Sequence, residues 1–234
     1  MGIIEMATQK KSGIRKEQIL NAAERTFARK GFQEATISDV AREAGVSDAT
    51  IYEYFPSKEE LLFSIPGETA RRAKKNLENI LNHVRGATNK IRSIIYSYFS
   101  FYQGHPDYAS VAMLILKQNR KFLETKAYKD VQELSRVLLH VIEEGIASGE
   151  FRSDSNPYLI RSTILGAIEH LLIRSILLGK PKNLIEFVDP LTDLITGGIR
   201  QESEGQKWKI SVAVTPLEGS HDDKVPSKGK KVKR

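Results

Sequence analysis

Apolar residues recur at helical spacing along most of this chain. One group repeats at intervals of 0, 3, 4 and 7 positions and therefore shares one helix face, namely Ile37, Val40, Ala41 and Ala44. Gly31 and Gly45 follow such stripes as helix-ending residues, and Thr36, Ser47 and Ser57 precede them as N-caps. Strand-like alternation is convincing only at 209–216, so the pattern predicts an all-α fold.

Longer helices are predicted beyond Pro66, with breaks at glycine and proline. They lie near Glu68–Val84, Asn89–Gln103, Asp107–Asn119, Glu124–Ala147, Tyr158–Leu178 and Leu184–Ile199. We therefore expect a compact domain of three short helices at 15–56 and a larger helical bundle at 57–203. A basic arm at 1–14 precedes them, and a polar, lysine-rich tail at 204–234 is expected to be mostly disordered.

The amino-acid composition limits which kinds of protein this chain can be. The 234 residues are 40% hydrophobic, which is enough for a sizeable core, and the chain has no cysteine, which excludes disulfides and thiolate chemistry. The sequence contains no run of about 18 apolar residues, the length needed to cross a membrane. Met1–Ser12 lacks the apolar segment of a secretory signal peptide. A cytoplasmic protein without membrane contact is expected. Eight basic and three acidic residues from Lys207 onward supply +5 of the net charge of +7.

Enzymatic motifs are missing from the sequence. The five histidines stand in no metal-like spacing, and no nucleophile elbow, phosphate-binding loop or dinucleotide fingerprint occurs. The sequence therefore predicts no catalytic residues, no metal and no cofactor, and it argues against an enzyme.

The segment VSDATIYEYFPSKEEL, Val46 to Leu61, carries the strongest functional signal. At about 100° per residue, Ile51 and Phe55 share a face, while Ala49, Tyr52 and Glu53 point roughly the other way. A short helix with a buried seam, a small residue near its start and an exposed tyrosine fits a DNA major groove. The alternative is ordinary packing of two helices around a turn.

The stretches ILNAAERTFARKGF (Ile19–Phe32) and TISDVAREAGVSDATIYEYFPSKEELL (Thr36–Leu62) resemble the DNA-binding region of TetR-type transcriptional repressors. This resemblance implies an N-terminal three-helix helix-turn-helix domain and a C-terminal ligand-binding and dimerisation bundle. It also implies a homodimer that binds a palindromic DNA operator and is released by a ligand. By position, the DNA contacts would be Thr36, Ser47, Asp48, Ala49, Thr50, Tyr52, Tyr54 and Lys58.

Two acids depart from a DNA-reading pattern. Phosphate repels Asp48 and Glu53 unless each accepts from a base amine such as that of cytosine. Asp48 is therefore either a specificity contact or a partner of the helix dipole, with the dipole favoured. The basic arm and the C-terminal KGKKVKR could likewise contact DNA or simply be solvated.

Tyr158 to Gly179 is apolar on more than one face, which requires burial on two sides. The resemblance implies that the last two helices of each subunit form a four-helix dimer interface. The residues predicted for it are Leu159, Thr163, Ala167, Leu171, Ser175, Val188, Thr192 and Ile195. The alternative is a wholly intramolecular core.

Aromatic residues concentrate in IIYSYFSFYQGHPDY, Ile94 to Tyr108. Most are expected in the core, but some could line an apolar pocket for a small hydrophobic ligand. The predicted lining is Tyr98, Phe101, Tyr102, Met113, Leu116, Arg120, Phe122, Leu165 and Ile168. Arg120, Lys117 or Lys121 could meet phosphates or form a solvated face.

The back half also resembles, more loosely, a TetR-type subgroup that regulates fatty-acid degradation in response to long-chain acyl-CoA. A fatty acid or acyl-CoA is therefore one candidate effector, beside a drug-like molecule or none. An activator, and a helical lipid carrier or enzyme that does not bind DNA, remain alternatives at this stage.

Overall fold

The computed structural model describes residues 2–201, with side chains from residue 13 onward. The predicted strand-like segment 209–216 and the predicted tail 204–234 lie outside the described residues. Within them the α-helices are α1 (Gly2–Glu34), α2 (Ile37–Ala44), α3 (Asp48–Tyr54), α4 (Lys58–Leu81), α5 (Ala87–Gly104), α6 (Pro106–Ser110), α7 (Lys126–Ala147), α8 (Pro157–Leu178) and α9 (Val188–Ile199). The all-α prediction is confirmed for this part of the chain.

The N-terminal unit is assembled by helix caps and one shared core. Gly31 interrupts α1 with a left-handed φ of 76°, as expected of a helix-breaking glycine. Thr36 accepts from the backbone N–H of Asp39, whose carboxylate accepts from the Thr36 N–H, forming a capping box. Phe27, Ile51 and Phe55 are fully or almost fully buried together, which fixes α3 against α1.

Pro66 does not divide the chain into two helices as predicted. It lies inside α4, which runs unbroken from Lys58 to Leu81. A proline removes one backbone hydrogen bond from a helix interior. Here the residues on both sides of Pro66 are buried, so packing keeps α4 continuous where local propensity favours a break.

The predicted helix at Asp107–Asn119 is also corrected. The chain forms the short α6, then a π-helix at Val111–Leu116, and then a 3-10 helix at Arg120–Glu124. The π-helix bridges two hydrophobic cores. Val111 and Leu116 belong to the core shared with the N-terminal unit, whereas Met113 belongs to the C-terminal core.

The C-terminal bundle packs α5, α7, α8 and α9 around a second core. Gly145 is required where α7 meets Phe151, because an added Cβ would lie 2.3 Å from that ring. Glu150 accepts from the N–H groups of Ala87 (2.6 Å) and Thr88 (2.8 Å) and so caps α5. These contacts hold the start of α5 against the end of α7.

Within residues 2–201, no helix combines the length and apolar character needed to span a membrane. The same part of the chain contains no group of three or more His, Cys, Asp or Glu residues arranged to hold a metal ion.

Candidate DNA-binding and effector sites

The turn between α2 and α3 fixes the geometry of the candidate DNA-binding face. Gly45 adopts a left-handed φ of 65°, and its N–H bonds back to the last carbonyls of α2. The Ser47 hydroxyl then accepts from the Thr50 N–H at 3.1 Å and caps α3. The turn therefore sets the direction in which α3 leaves α2.

One side of α3 is anchored and the other faces solvent. Ile51 is fully buried and Phe55 is 2% exposed, whereas Tyr52 is 54% exposed. Ser47, Asp48 and Ala49 are exposed as well. The structure therefore brings these predicted contacts together on one open surface, with Thr50 half-buried at its edge. Thr36 is exposed at the start of α2, where its hydroxyl is engaged in the capping box.

The two acids of this surface differ in their surroundings. The Asp48 carboxylate accepts a hydrogen bond from the Ser38 hydroxyl, which ties α3 to α2. Glu53 is exposed and makes no ion pair with a described residue. Asp48 therefore has a local structural role that Glu53 lacks.

The Lys58 ammonium group is bound by backbone and aromatic groups of the same chain. Its Nζ donates to the carbonyl oxygens of Phe32 at 2.8 Å and Ala35 at 2.9 Å, and it lies 4.5 Å from the centroid of the Phe32 ring. The lysine thus closes the end of α1 onto the start of α4. Tyr54 is half-buried against the same core, so these two predicted DNA contacts have structural partners that the sequence did not reveal.

Asp39 joins the helices that carry this surface. Its carboxylate lies 2.8 Å from the Lys30 Nζ and 2.6 Å from Arg42, besides closing the capping box. The hydrogen bond from Lys30, followed by those from Thr36, holds the pKa of Asp39 well below its usual range. The carboxylate therefore stays ionised near neutral pH and links α1 to α2.

The candidate effector site is an aromatic cluster around a small cavity. Phe101 stands at its centre, edge-on to Tyr102 (5.4 Å) and Tyr108 (5.3 Å) and stacked on His105 (4.5 Å), as measured between ring centroids. The cavity has a volume of about 50 Å³. Its walls come from α4, α5, α6 and α7, with Ala70, Ala73 and Leu77 on the α4 side and Leu134 on α7.

Three phenols line this cavity, from Tyr98, Tyr102 and Tyr108. Burial is the main cause that raises the pKa of each hydroxyl above its usual range. The hydroxyls therefore remain protonated near neutral pH and can donate hydrogen bonds. Glu169, on α8, adds to this effect at Tyr98 and Tyr102 and forms an ion pair with Lys117.

Only part of the predicted ligand lining surrounds this cavity. Tyr98, Phe101 and Tyr102 line it. Met113 and Ile168 are buried in the C-terminal core, where Leu165 packs half-buried, and Leu116 and Phe122 are buried in the N-terminal one. Arg120 is exposed in the 3-10 helix. The α4 wall was missed because its small residues carry no signal until α4 is seen against α5.

Helix α8 has one face that is exposed to solvent and one that packs inside the subunit. Leu159 is 66% exposed and Thr163 is also exposed, while Ala167, Leu171 and Ser175 are half-buried. On α9, the prediction for Val188 and Thr192 is corrected, because both are buried inside the subunit. On α9 the residue that points outward is Leu194, which is 75% exposed, and Ile195 lies half-buried beside it.

Comparisons with known protein families agree with both halves of this arrangement. Residues 19–65 match the family model described as bacterial regulatory proteins, tetR family. Residues 71–198 match the model of the C-terminal region of YsiA-like protein. Neither description is that of an enzyme.

Similar proteins point the same way. The Bacillus subtilis fatty acid metabolism regulator protein is 28% identical over 185 residues, which cover 79% of this chain and 95% of that protein. The structure of FadR from B. subtilis in complex with stearoyl-CoA matches with a TM-score of 0.74 at 28% identity, covering 79% of this chain and 99% of that one. FadR from Bacillus halodurans matches with a TM-score of 0.72 at 27% identity, over the same shares.

Proposed function

This chain belongs to the TetR family of bacterial transcriptional regulators, and on that premise we propose that it is a homodimeric repressor released from a palindromic operator by a long-chain acyl-CoA. The observation that carries the DNA-binding part is the division of α3 into an anchored and an open side. Ile51 and Phe55 fix the helix, and Ala49 and Tyr52 face outward. Such a regulator acts in the cytoplasm, where bacterial DNA lies.

The open face supports contact with the major groove. Ala49 is small enough for close approach of the helix backbone, and the Tyr52 ring can pack on a thymine methyl or bond a phosphate. Ser47, Thr50 and Thr36 are hydroxyl-bearing residues at helix starts, where backbone N–H groups also favour phosphate. Together they would position α3, while Tyr52 reads bases.

Dimer formation is supported by the apolar face that α8 and α9 leave open. Leu159, on α8, is 66% exposed and Leu194, on α9, is 75% exposed, and contiguous exposed apolar surface marks an interaction site. A dimer formed through this face would carry two α3 helices, as a palindromic operator with half-sites about 34 Å apart, one helical turn of DNA, requires. Changing Leu159 to Glu is expected to yield monomers in sedimentation, whereas Leu123→Glu, at 46% exposed outside this face, should remain dimeric.

The effector assignment is supported by the apolar cavity and by the similarity to FadR, which was solved with stearoyl-CoA. A ligand shifts DNA affinity only through its different affinity for the bound and released conformations. Tyr108, in α6, lines the cavity and belongs to the same hydrophobic core as the buried face of α1, so a change at Tyr108 would be transmitted toward α1 by contiguous packing.

The direct test is selection of a duplex from a random library, followed by fluorescence anisotropy. We expect a palindromic consensus, affinity that falls steeply with salt, and release on addition of stearoyl-CoA. Unacylated CoA serves as the control and should leave the complex intact. Binding without sequence preference, or a complex indifferent to stearoyl-CoA, would contradict the corresponding part of the proposal.

A further inference from the structure

Two voids meet at one residue of α4. The first is an open cleft of about 660 Å³ between α1, α4 and the start of α7. The second is the 50 Å³ cavity beside the aromatic cluster. Thr69 lines both of them, so its side chain stands between the cleft and the cavity.

The cleft is lined by both polar and apolar groups, and its two arginines are paired with acids. Arg71 contacts Glu68 and Asp130, and Arg72 lies 3.5 Å from Glu17. Such paired groups do not make a site for a bare polyanion. They suit a neutral chain of amide and hydroxyl groups, which can exchange hydrogen bonds with both signs of charge. The pantetheine arm of an acyl-CoA has this chemistry.

The two ends of the cavity have different surroundings. Tyr108 is 6% exposed and belongs to the core shared with the N-terminal unit, whereas Leu77 belongs to the C-terminal core. Tyr108 also lies close enough to Glu24, on the cleft wall, for that charge to affect it. The Tyr108 end of the cavity is therefore the end nearer the cleft.

The Tyr108 hydroxyl is an unused donor. It lines the cavity and makes no hydrogen bond to any described residue. The hydroxyl oxygen keeps solvent access through the cavity, so a ligand or water can reach it with an acceptor. A carbonyl oxygen on the ligand would supply one at this end of the cavity.

We propose, resting on the acyl-CoA function above, that the acyl thioester enters from the cleft past Thr69 and that its carbonyl accepts from Tyr108. The chain then runs along α4 over Ala70 and Ala73 toward Leu77. From Thr69 to Leu77 the helix rises about 12 Å at 1.5 Å per residue. Ala73 stands in the middle of this path, about 6 Å from Thr69, so chains that run past this point depend on its small side chain, whereas shorter chains do not reach it.

The cavity must open to hold such a chain. Its 50 Å³ exceeds the roughly 30 Å³ share of one water molecule but not by much. Leu134 on α7, half-buried and in contact with the C-terminal core, forms the opposite wall. Filling the cavity therefore separates α4 from α7, which also form two walls of the cleft beside α1.

The test compares isothermal titration of butyryl-, lauroyl- and stearoyl-CoA with the full-length protein. Changing Ala73 to Leu should weaken stearoyl-CoA by roughly tenfold or more and leave butyryl-CoA nearly unchanged, because the added side-chain volume blocks only chains that reach Ala73. The control Asn76→Leu lies on the exposed side of the same helix and should alter neither. Tyr108→Phe should weaken all three thioesters by a similar factor of roughly five.

The outcomes separate this inference from the function on which it rests. Wild-type protein that binds no thioester overturns the effector assignment itself. If wild-type protein binds stearoyl-CoA but the Ala73→Leu variant has unchanged affinity, or affinity lowered equally for every chain length, the path along α4 is overturned. Melting curves verify that each variant folds. If Ala73→Leu does not fold, Leu77→Ala should instead increase affinity for stearoyl-CoA relative to lauroyl-CoA, and an unchanged preference contradicts the path.

Discussion

Tyrosines occupy both the candidate DNA-binding face and the candidate effector cavity, in opposite environments. Tyr52 is 54% exposed on a helix that is anchored from behind, whereas Tyr108 is 6% exposed and borders the cavity. An exposed ring offers an apolar surface and a hydroxyl to a large partner. A mostly buried phenol that opens onto a cavity can donate to a ligand that brings an acceptor. The same side chain is therefore suited to two kinds of recognition, because packing differs around it.

The largest effect is expected from removing the anchor of the DNA-binding face. Phe55→Ala should lower the free energy of unfolding by about 3–5 kcal/mol, because it leaves a cavity beside Ile51 and Phe27. Urea denaturation followed by circular dichroism measures this. A loss below about 1 kcal/mol would mean that α3 is not held by this core.

Changing Tyr52 should affect binding without affecting folding. Tyr52→Ala is expected to weaken operator binding by about 1–3 kcal/mol, the range of a good base contact, with stability changed by less than about 0.5 kcal/mol. Anisotropy titration with the operator gives the affinity. Tyr96→Ala is the matched control, because Tyr96 is 51% exposed on α5. Equal operator affinities for the two variants would remove Tyr52 from the reading surface.

Lys58 distinguishes a structural role from a phosphate contact. Lys58→Met should destabilise the protein by about 1 kcal/mol, because the carbonyls of Phe32 and Ala35 lose their donor. The salt dependence of operator binding should stay the same, since the Nζ is occupied within the protein. If Lys58→Met instead lowered the slope of log affinity against log salt concentration by about one phosphate contact and left stability unchanged, the phosphate contact predicted from the sequence would be favoured.

The smallest effect concerns pH. The pKa of Asp39 is depressed in the folded protein, so its contribution to stability is present above the unfolded pKa of about 4 and is lost as pH falls through the folded value. Asp39→Asn should therefore be less stable than wild type at pH 7, and the gap should narrow as acid is added. Parallel melting curves from pH 7 to pH 3 measure it; a gap independent of pH would contradict this linkage.

The sequence predicted the DNA-binding region more fully than the effector site. Caps at Thr36 and Ser47, the glycine turn and the seam of Ile51 and Phe55 are local signals, separated by a few residues, and each has its expected place. The cavity is built from α4, α5, α6 and α7, whose residues are distant in sequence. Aromatic clustering indicated Tyr98, Phe101 and Tyr102, but nothing local marks Ala70 or Ala73 as a wall.

The sequence by itself determined the helices, their caps and the outward direction of Tyr52, because helical periodicity and turn chemistry act over single turns. Only the tertiary structure decided that α4 continues through Pro66, that Lys58 caps carbonyls at the end of α1, and that Val188 and Thr192 face inward. These outcomes depend on which surfaces meet, and burial between distant helices outweighs the local preference of any one residue.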